Sequence, residues 1–254
     1  MEPEVGRLTG QDSGIGRFPE TTKILTEVSA ITGVQGLLQG RKVLVTTGGT
    51  QEALDPVRYI GNRSSGRQGL AIAFEALREG AEVTVLAADT VPFSLEGARI
   101  IPTMSADAMF SELKRQMPLH DALFMTAAVA DAKPREFQQS KMKKSDLDSI
   151  NLVTNPDLLA AVAKTRTRNQ VLVGFAAETD ERYEELGNQK RESKGVDFLY
   201  VTNVQGGAVF GEKDTSGTLI DRTGVVKRYD KVDKFLLAKD LVKAVSEKIG
   251  EFHG

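Results

Sequence analysis

From Lys42 onward the sequence alternates between two kinds of segment, and this alternation restricts the fold more than any other feature. One kind is a short apolar run rich in β-branched residues, found at 42–47, 82–87, 99–104, 122–130, 171–178 and 197–203. The other kind has apolar residues at helical spacing, found at 68–79, 106–116, 155–164, 180–194 and 232–249. Continuous apolar strands joined by helices are typical of a parallel sheet that helices cover on both faces.

We therefore predict an α/β fold with a Rossmann-like, mostly parallel sheet and helices on both faces. Two segments depart from the pattern. Residues 132–150 carry a charged KMKK run without an apolar stripe, which indicates a protruding arm or flap. Residues 205–230 contain turn residues and short strand patterns, which indicates an antiparallel excursion at the edge of the sheet.

The N-terminal residues 1–39 form a third departure. A turn-rich stretch is followed by a helical pattern, with Thr21 or Thr22 as its cap, whose apolar stripe consists of Ile24, Leu25, Val28 and Ile31. So short a piece cannot bury this stripe by itself. We therefore predict an N-terminal appendage at 1–39 and a main domain at 40–254.

Composition excludes several kinds of chemistry. The chain has no cysteine, so it offers no disulfide, thiolate nucleophile or cysteine–metal site. Its only histidines are His120 and His253, which disfavours a histidine zinc site or a Ser-His-Asp triad. The net charge of −2 gives no argument for nucleic acid. No apolar run approaches the roughly 18 residues that span a bilayer, and residues 1–20 lack a signal peptide. We expect a cytoplasmic protein with neither a nucleic-acid nor a membrane partner.

The turn after the first apolar run, TTGGT at 46–50, lies where doubly wound sheets bind ligands. Gly48 and Gly49 would let backbone N–H groups approach an anion. The spacing does not follow the G-x-G-x-x-G fingerprint of nicotinamide enzymes, and a long insertion delays the next helix. The turn therefore fits a dinucleotide site poorly.

The insertion ends in YIGNRSSGRQG at 59–69, in which Asn62 stands among glycines and serines. Ser64, Ser65 and Gly66 lead into a helix, and backbone donors with hydroxyls at a helix N-terminus bind phosphate or carboxylate. The alternative is an ordinary connection in which Ser64 or Ser65 caps the helix. The length of the loop favours an anion site. So do its arginines, Arg58, Arg63 and Arg67.

Further polar residues follow the later apolar runs. Asp131 comes directly after AAVA, where a carboxylate would suit a ribose hydroxyl or a Mg²⁺-bound triphosphate; a turn-initiating aspartate is the alternative. Asn155 is predicted to cap a helix that has Pro156 at its first position. Lys190 and Lys194 share a helix face and could reach one phosphate chain, although surface lysines are the commoner case.

These motifs together resemble a known family. TTGGTQEALDPVRYIGNRSSGRQGLAIA is similar to the opening of phosphopantothenoylcysteine synthetase, the second activity of the bifunctional bacterial coenzyme A biosynthesis protein. The resemblance continues in order through AAVADAKP, KMKK, NPDLL, VGFAAET, the pair Lys190 and Lys194, TNV, and FG at 210–211. It covers residues 40–249.

The resemblance implies a CTP-dependent ligase in coenzyme A biosynthesis. Such an enzyme activates 4′-phosphopantothenate as an acyl-cytidylate with release of pyrophosphate; cysteine then attacks, giving phosphopantothenoylcysteine and CMP. It further implies Mg²⁺ or Mn²⁺ with the triphosphate, and a homodimer whose arm covers the neighbour's site.

The resemblance also implies site residues. Asn62 and Lys141 would be catalytic, Asn62 at the acyl-cytidylate and Lys141 during its formation. The backbone of Phe175 would read the cytosine, and Asp131 would contact CTP or its cation. The remaining substrate and CTP contacts would be Gly48, Gly49, Ser64, Ser65, Gly66, Ala127, Asn155, Pro156, Asp157, Leu158, Lys190 and Lys194.

Two features depart from the family pattern. Gly187 stands where the family usually has alanine, which costs about 1 kcal/mol in helix propensity. LTGQDSGIGRFPE resembles the end of the flavin-dependent decarboxylase domain of bifunctional members, with Gly10 at the position of its catalytic cysteine. No FMN and no decarboxylation are expected on this chain, and a decarboxylase domain or separate chain is a possible partner.

Two other functions compete with the ligase. A nicotinamide-dependent oxidoreductase would require the glycine fingerprint that the first turn lacks. A non-catalytic nucleotide-binding regulator would not require Asn62 and Lys141 together.

Overall fold

A computed structural model describes residues 3–7, 13–17, 24, 28, 36–88, 95–143, 148–178, 180, 182–203 and 213–252. Most of the predicted N-terminal helix, Gly10, Lys144, His253 and the FG pair at 210–211 lie outside these residues. The core is an eight-stranded sheet in the order β14-β13-β12-β11-β8-β3-β6-β7. Neighbours from β12 to β7 are parallel, and the two pairs that include β13 are antiparallel.

The strands of this sheet agree closely with the apolar runs. They are β3 Lys42–Thr47, β6 Glu82–Ala87, β7 Ala98–Pro102, β8 Ala122–Met125, β11 Val171–Glu178, β12 Phe198–Asn203, β13 Asp214–Asp221 and β14 Gly224–Asp233. The predicted mostly parallel α/β sheet is confirmed. The hairpin of β13 and β14 is the predicted antiparallel excursion at the sheet edge.

Helices cover both faces because alternate strand residues point to opposite sides. Val43 and Val45 of β3 join one apolar cluster, whereas Leu44 joins the other. The first cluster lies under α1 Arg67–Arg78 and α5 Lys234–Gly250. The second lies under α2 Ala106–Gln116 and α3 Leu158–Thr165, with α4 Tyr183–Lys194 at its edge. A short 3₁₀ turn, Met117–Leu119, follows α2.

Within the described residues, three two-stranded sheets lie outside the main sheet. β4 Gln51–Ala53 pairs with β5 Tyr59–Gly61 in the insertion after β3, and β9 Ala132–Pro134 pairs with β10 Leu152–Thr154 at the base of the predicted arm. Near the N-terminus, β1 Glu4–Arg7 pairs with β2 Ser13–Arg17. Turn residues alone had indicated an irregular stretch there, so this last hairpin was not predicted.

The predicted end of β8 is wrong. β8 ends at Met125 although its apolar run continues to Ala130, because the chain there follows the turn after β3. Ala128 N donates to Gly48 O (2.9 Å), and Thr50 N donates to Ala128 O (3.2 Å).

Asn155 does not cap α3. Its carboxamide is buried and Nδ2 donates to Ala130 O at 2.9 Å. Asp157 is the N-cap and accepts from Ala160 N at 3.0 Å. The tertiary contact of Asn155 therefore prevails over its local capping preference.

The glycine at position 187 is explained by close packing. A Cβ built there would lie 2.4 Å from Val201 Cγ2 and 3.0 Å from Ile220 Cδ1, because α4 packs closely on β12 and β13. The lost helix propensity is offset by this close approach. In the part of the chain that the structure describes, no helix is long and apolar enough to cross a membrane.

Candidate active site

A cavity lies where the sheet topology switches direction. From β3 the chain moves outward through β6 and β7 and then returns to β8 on the other side. The connections that follow β3 and β8 therefore run in opposite directions and leave a crevice, the usual ligand position in open α/β sheets. The cavity there has a volume of about 830 Å³, within the range of small-molecule sites.

Most of the predicted site residues line this cavity. Those that do are Asn62, Ser64, Ser65, Gly66, Ala127, Asp131, Asn155, Pro156, Asp157, Leu158, Phe175 and Lys194. Gly48, Gly49, Lys141 and Lys190 are not among the lining residues. The motifs, which lie up to 132 positions apart (62 to 194), thus converge on one cleft.

Asn62 is placed by close backbone packing. A Cβ on Gly49 would lie 2.5 Å from Asn62 O, and one on Gly61 would lie 2.5 Å from Thr50 O. Glycine at both positions lets the β5 end of the hairpin lie directly against the turn after β3. Gly49 therefore supports the site from behind and does not face the cavity.

The Asn62 carboxamide reaches across to the loop after β8. Its Nδ2 donates to Val129 O at 3.0 Å. An amide nitrogen carries two N–H groups, so a second donor and the oxygen remain to serve a ligand. This hydrogen bond fixes the orientation of a neutral donor at the cavity.

The N-terminus of α1 forms another wall. Its N-cap is Gly66, with φ +66° and no side-chain cap, while the Ser64 hydroxyl accepts from Gly66 N at 3.3 Å. The alternative in which Ser64 or Ser65 caps the helix is therefore wrong. Since Gly66 through Gly69 line the cavity, the uncapped N–H groups of the first turn suit an anionic ligand.

Gly69 is required where α1 meets the sheet. A Cβ there would lie 2.6 Å from both Thr126 Oγ1 and Thr47 Oγ1. The Thr47 hydroxyl donates to Gly66 O at 2.8 Å. The start of the helix is thereby fixed to the ends of β3 and β8.

Asp131 stands on the opposite wall with its backbone held in place. Asn155 N donates to Asp131 O at 2.8 Å, and Ala130 N donates to Thr50 Oγ1 at 2.9 Å. The Asp131 side chain is exposed at the cavity. Beside it, Asn155 Oδ1 is buried and has no hydrogen-bond partner among the described residues, which leaves an acceptor at the cavity wall.

The two lysines of the α4 pair each contact a carboxylate. Lys194 Nζ lies 2.7 Å from Asp157 Oδ2, and Lys190 pairs with Glu178. Burial opposes the ionisation of Asp157, but hydrogen bonds from Lys194 and from Ala160 N outweigh it and hold its pKa below the ordinary value. Lys194 faces the cavity, whereas Lys190 is turned toward Glu178.

Aromatic side chains close the inner end. Phe175 lies beside Tyr200 with 5.9 Å between ring centroids. Burial raises the pKa of Tyr200 to about 12, so its hydroxyl stays neutral at physiological pH.

Several lining residues were not predicted from the sequence. They are Gln68, Tyr200, Thr202, Thr215 and Lys234. Thr202 ends a predicted strand and could have been found by that signal. Thr215 and Lys234 come from the edge hairpin and α5, whose approach to the cavity has no sequence signal.

A metal site made only of protein ligands is not found in the described residues, which contain no group of three or more His, Cys, Asp or Glu side chains suited to hold an ion. Mg²⁺ is often held by one or two carboxylates together with substrate phosphates and waters. The single carboxylate of Asp131 fits that donor set.

The fold and the cavity define an α/β protein with a ligand-sized cleft at the switch point of a parallel sheet. The family model for the C-terminal domain of the DNA/pantothenate metabolism flavoproteins matches residues 38–249, and the chain belongs to this family. The resemblance recognised in the sequence is thereby confirmed at the level of the family.

Individual relatives agree. The chain is 38% identical to the coenzyme A biosynthesis bifunctional protein CoaBC of Mycobacterium tuberculosis over 260 residues, covering 96% of this chain and 62% of that protein. It is 35% identical to the Haemophilus influenzae protein of the same name, covering 97% of this chain and 61% of that protein. The chain thus spans about three fifths of the length of these curated relatives.

A solved structure matches as well. The crystal structure of the C-terminal domain of a coenzyme A biosynthesis bifunctional protein CoaBC superposes with a TM-score of 0.73 at 27% identity. The match covers 85% of this chain and 99% of that one.

Proposed function

We propose that this chain is a CTP-dependent phosphopantothenate–cysteine ligase of coenzyme A biosynthesis, acting in the cytoplasm. The observation that carries the proposal is the convergence of two walls on one cavity. Asn62 and the N-terminus of α1 form the first wall, while Asp131, the 155–158 segment and Lys194 form the second. One wall suits a phosphorylated acid and the other a nucleotide triphosphate.

In this proposal the α1 wall binds 4′-phosphopantothenate. The uncapped N–H groups after Gly66 would hold an anionic group, and Asn62 would present its second N–H to the acyl carbonyl. A neutral donor at that place stabilises negative charge as the cysteine amine attacks. Val129 O would keep the amide oriented throughout.

The opposite wall would hold CTP. The Phe175 backbone and the buried Asn155 would contact the base, since paired polar groups in a closed pocket discriminate strongly between ligands. Lys194, and Lys190 after leaving Glu178, would face the triphosphate. Asp131 would hold Mg²⁺ or Mn²⁺, which neutralises phosphate charge when bound.

Lys141 requires a second copy of the chain. It is exposed and does not line its own cavity. The hairpin and the arm around it expose large apolar side chains, namely Val57, Tyr59, Phe137, Ile150 and Leu152. This apolar surface supports a homodimer in which the arm of one copy covers the cavity of the other.

The N-terminal segment 1–39 would be the tail of a decarboxylase domain, as its sequence resemblance indicates. The curated relatives are bifunctional proteins by name and are longer than this chain. A decarboxylase domain or chain is therefore the expected partner that supplies or consumes intermediates of the same pathway.

The activity is tested by pyrophosphate release from CTP, with and without 4′-phosphopantothenate and before cysteine is added. We expect release that depends on the acid and is abolished by chelation of divalent cations. CTP binding without pyrophosphate release would instead favour a nucleotide-binding regulator, and turnover that survives chelation would refute the cation requirement.

The shared site is tested by mixing two inactive chains, Asn62→Asp and Lys141→Gln. A mixed dimer would contain one cavity with an intact Asn62 and an intact partner arm, so activity should return to about a quarter of the wild-type value by random pairing. If mixed dimers form and no activity returns, Lys141 does not act across the interface.

A further inference from the structure

One carboxylate joins the insertion after β3 to the arm. Asp55, in the turn between β4 and β5, is 2% exposed. It accepts hydrogen bonds from Val57 N and Arg58 N, both at 2.8 Å. The Arg58 guanidinium donates to the same carboxylate through Nε at 2.9 Å and Nη2 at 2.6 Å. Both side-chain donors of Arg58 go to Oδ2, while Oδ1 accepts from the two backbone N–H groups, so the ion pair is fixed inside the turn.

This pair holds the backbone of Met142 by both of its polar groups. Met142 N donates to Asp55 Oδ2 at 3.1 Å, and Arg58 Nη2 donates to Met142 O at 2.8 Å. Met142 lies between Lys141 and Lys143 in the charged run of the arm. The two held groups belong to the peptide units on either side of the Met142 Cα, so the backbone at Met142 cannot rotate freely. The clamp therefore restricts the direction in which the adjacent Lys141 leaves the arm.

A second contact orients the arm. Gln138 N donates to Leu54 O at 2.9 Å, one residue before Asp55. The turn is itself closed by a hydrogen bond from Leu54 N to Arg58 O at 2.8 Å. Two points of the arm, four residues apart, are therefore held by a single short turn.

The carboxylate is held in its charged form. Burial opposes the ionisation of Asp55, but the hydrogen bonds from Val57 N, from Arg58 and from Met142 N outweigh it and keep its pKa well below the ordinary range. A neutral amide at this place would lose the ion pair and present N–H groups toward other N–H donors.

We propose that Asp55, acting with Arg58, is a positioning residue for Lys141: it fixes the arm so that the lysine is presented to the cavity of a second copy. The inference rests on the proposed function, in which Lys141 acts across a dimer. The turn that holds Met142 lies at one end of β5 and Asn62 at the other. Arg58 and Asn62 lie four positions apart, which is about 13 Å along an extended strand. One hairpin thus holds Asn62, which serves the cavity of its own chain, and also Asp55 and Arg58, which fix the arm that presents Lys141 to the other copy.

Loss of the Asp55 carboxylate should free the arm and leave the cavity intact. Asn62 is placed by contacts of Gly49 and Gly61 and by Val129 O, none of which involves Asp55. This separation makes the proposal testable.

The first test is limited trypsin digestion of the full chain, with the cleavage rate after Lys141 and Lys143 read by mass spectrometry. We expect Asp55→Asn to raise this rate about tenfold or more, because a hydrogen bond to a charged group contributes on the order of a factor of ten in an equilibrium. Asp197→Asn is the matched control. Asp197 is also paired with an arginine, Arg166, and accepts from Leu172 N at 2.8 Å, far from the arm. Equal cleavage of Asp55→Asn and wild type would overturn the clamp.

The second test uses mixed dimers and localises the defect. If Asp55→Asn damages only its own arm, mixing it with Asn62→Asp should restore activity, because the latter supplies an intact arm to an intact cavity. Mixing it with Lys141→Gln should restore nothing, because both arms are then defective. The opposite pattern would place the defect in the cavity and overturn the proposal.

A double variant provides a third readout. Asp55→Asn combined with Lys141→Gln should form acyl-cytidylate no more slowly than Lys141→Gln alone, because residues that act through one another are not additive. A further fall beyond tenfold would assign Asp55 a separate structural role. If Asn62→Asp and Lys141→Gln do not complement each other, the shared active site of the proposed function is refuted. The trypsin experiment does not depend on that result and still tests whether Asp55 fixes the arm.

Discussion

Asn62 and Lys141 are carried by two neighbouring regions that the fold holds by different means. The loop of Asn62 is held by backbone packing against the ends of β3 and β8, with glycines where a Cβ would collide. The arm of Lys141 is paired at its base through β9 and β10, and beyond that base it is held by the Asp55–Arg58 ion pair and by the Gln138 to Leu54 hydrogen bond. The first region is built into the sheet, whereas the second depends on a polar clamp that we propose one substitution can release.

The two regions differ in what holds them because they have different tasks: one forms a cavity wall, and the other must meet a second copy of the chain. A cavity wall that must orient a neutral donor benefits from close packing, because packed backbone cannot shift without collisions. An arm that must meet another copy benefits from a few strong polar contacts that fix its direction without burying it.

The largest effect is expected for Asn62→Asp. It should slow transfer of the acyl-cytidylate to cysteine by about 10²–10³-fold, since losing one such donor costs roughly 3–4 kcal/mol and the new charge repels the developing oxyanion. Acyl-cytidylate formation should fall less. Rapid-quench detection of the intermediate separates the two steps.

The control for this change is Asn169→Asp, the same substitution in an exposed turn outside the cavity. It should leave both steps unchanged. If Asn62→Asp slows both steps equally, Asn62 only shapes the loop and has no direct role in the transfer step.

For the arm, Lys141→Gln should slow acyl-cytidylate formation by roughly 10- to 100-fold, because one charge-assisted contact contributes about 1.5–3 kcal/mol. The affinity for 4′-phosphopantothenate should change less, because the proposed phosphate contacts come from the N-terminus of α1 and not from the arm. Pyrophosphate release and substrate titration provide the two measurements. Lys239→Gln, on the exposed side of α5, is the charge-matched control; a similar loss there would show a general charge effect.

The packing of the Asn62 loop is tested by Gly49→Ala. The added Cβ would meet Asn62 O at 2.5 Å, so the free energy of unfolding should fall by about 1–3 kcal/mol and substrate affinity should weaken with it. Thermal unfolding and substrate titration measure the two effects. Gly250→Ala is the control, because a Cβ there meets nothing within 4 Å. Equal stability of the two variants would mean that the loop is not tightly packed.

The smallest effect concerns the dependence of stability on pH. Because the folded-state pKa of Asp55 lies below its value of about 3.9 in an unfolded chain, the carboxylate stabilises the fold fully above that value. This contribution is lost as the pH falls toward the folded-state pKa. The free energy of unfolding of wild type should therefore decline more steeply below about pH 4 than that of Asp55→Asn. Parallel curves would show that the clamp does not contribute to stability.

Much of the fold follows from sequence patterns alone. The strands at 42–47, 82–87 and 171–178 and the helix at 106–116 have the predicted bounds. Their patterns are local and periodic, and burial on both faces of a sheet leaves few other arrangements. The turn at 46–50 and Asp131 both follow apolar runs, and this position likewise predicted a ligand site at the carboxyl end of the sheet.

Contacts between distant segments had no such signal. Asn155 resembles a helix cap, yet its amide is used by Ala130, 25 residues away. Asp55 lies within an insertion of unremarkable composition, and its role emerges only because Met142, 87 residues later, is placed against it. Gly187 differs from the alanine that is usual in the family, and only the packing of Val201 against it explains the difference.

Periodicity and residue type act locally along the chain, and they were enough to predict the strands and helices, the family and the chemistry available at the strand ends. Which polar groups meet, which glycines are obligatory and how the arm is fixed became visible only in the folded structure. Whether two groups bond or collide depends on differences of a few tenths of an ångström in the distance between segments far apart in sequence, and these distances are set only when the whole sheet has packed.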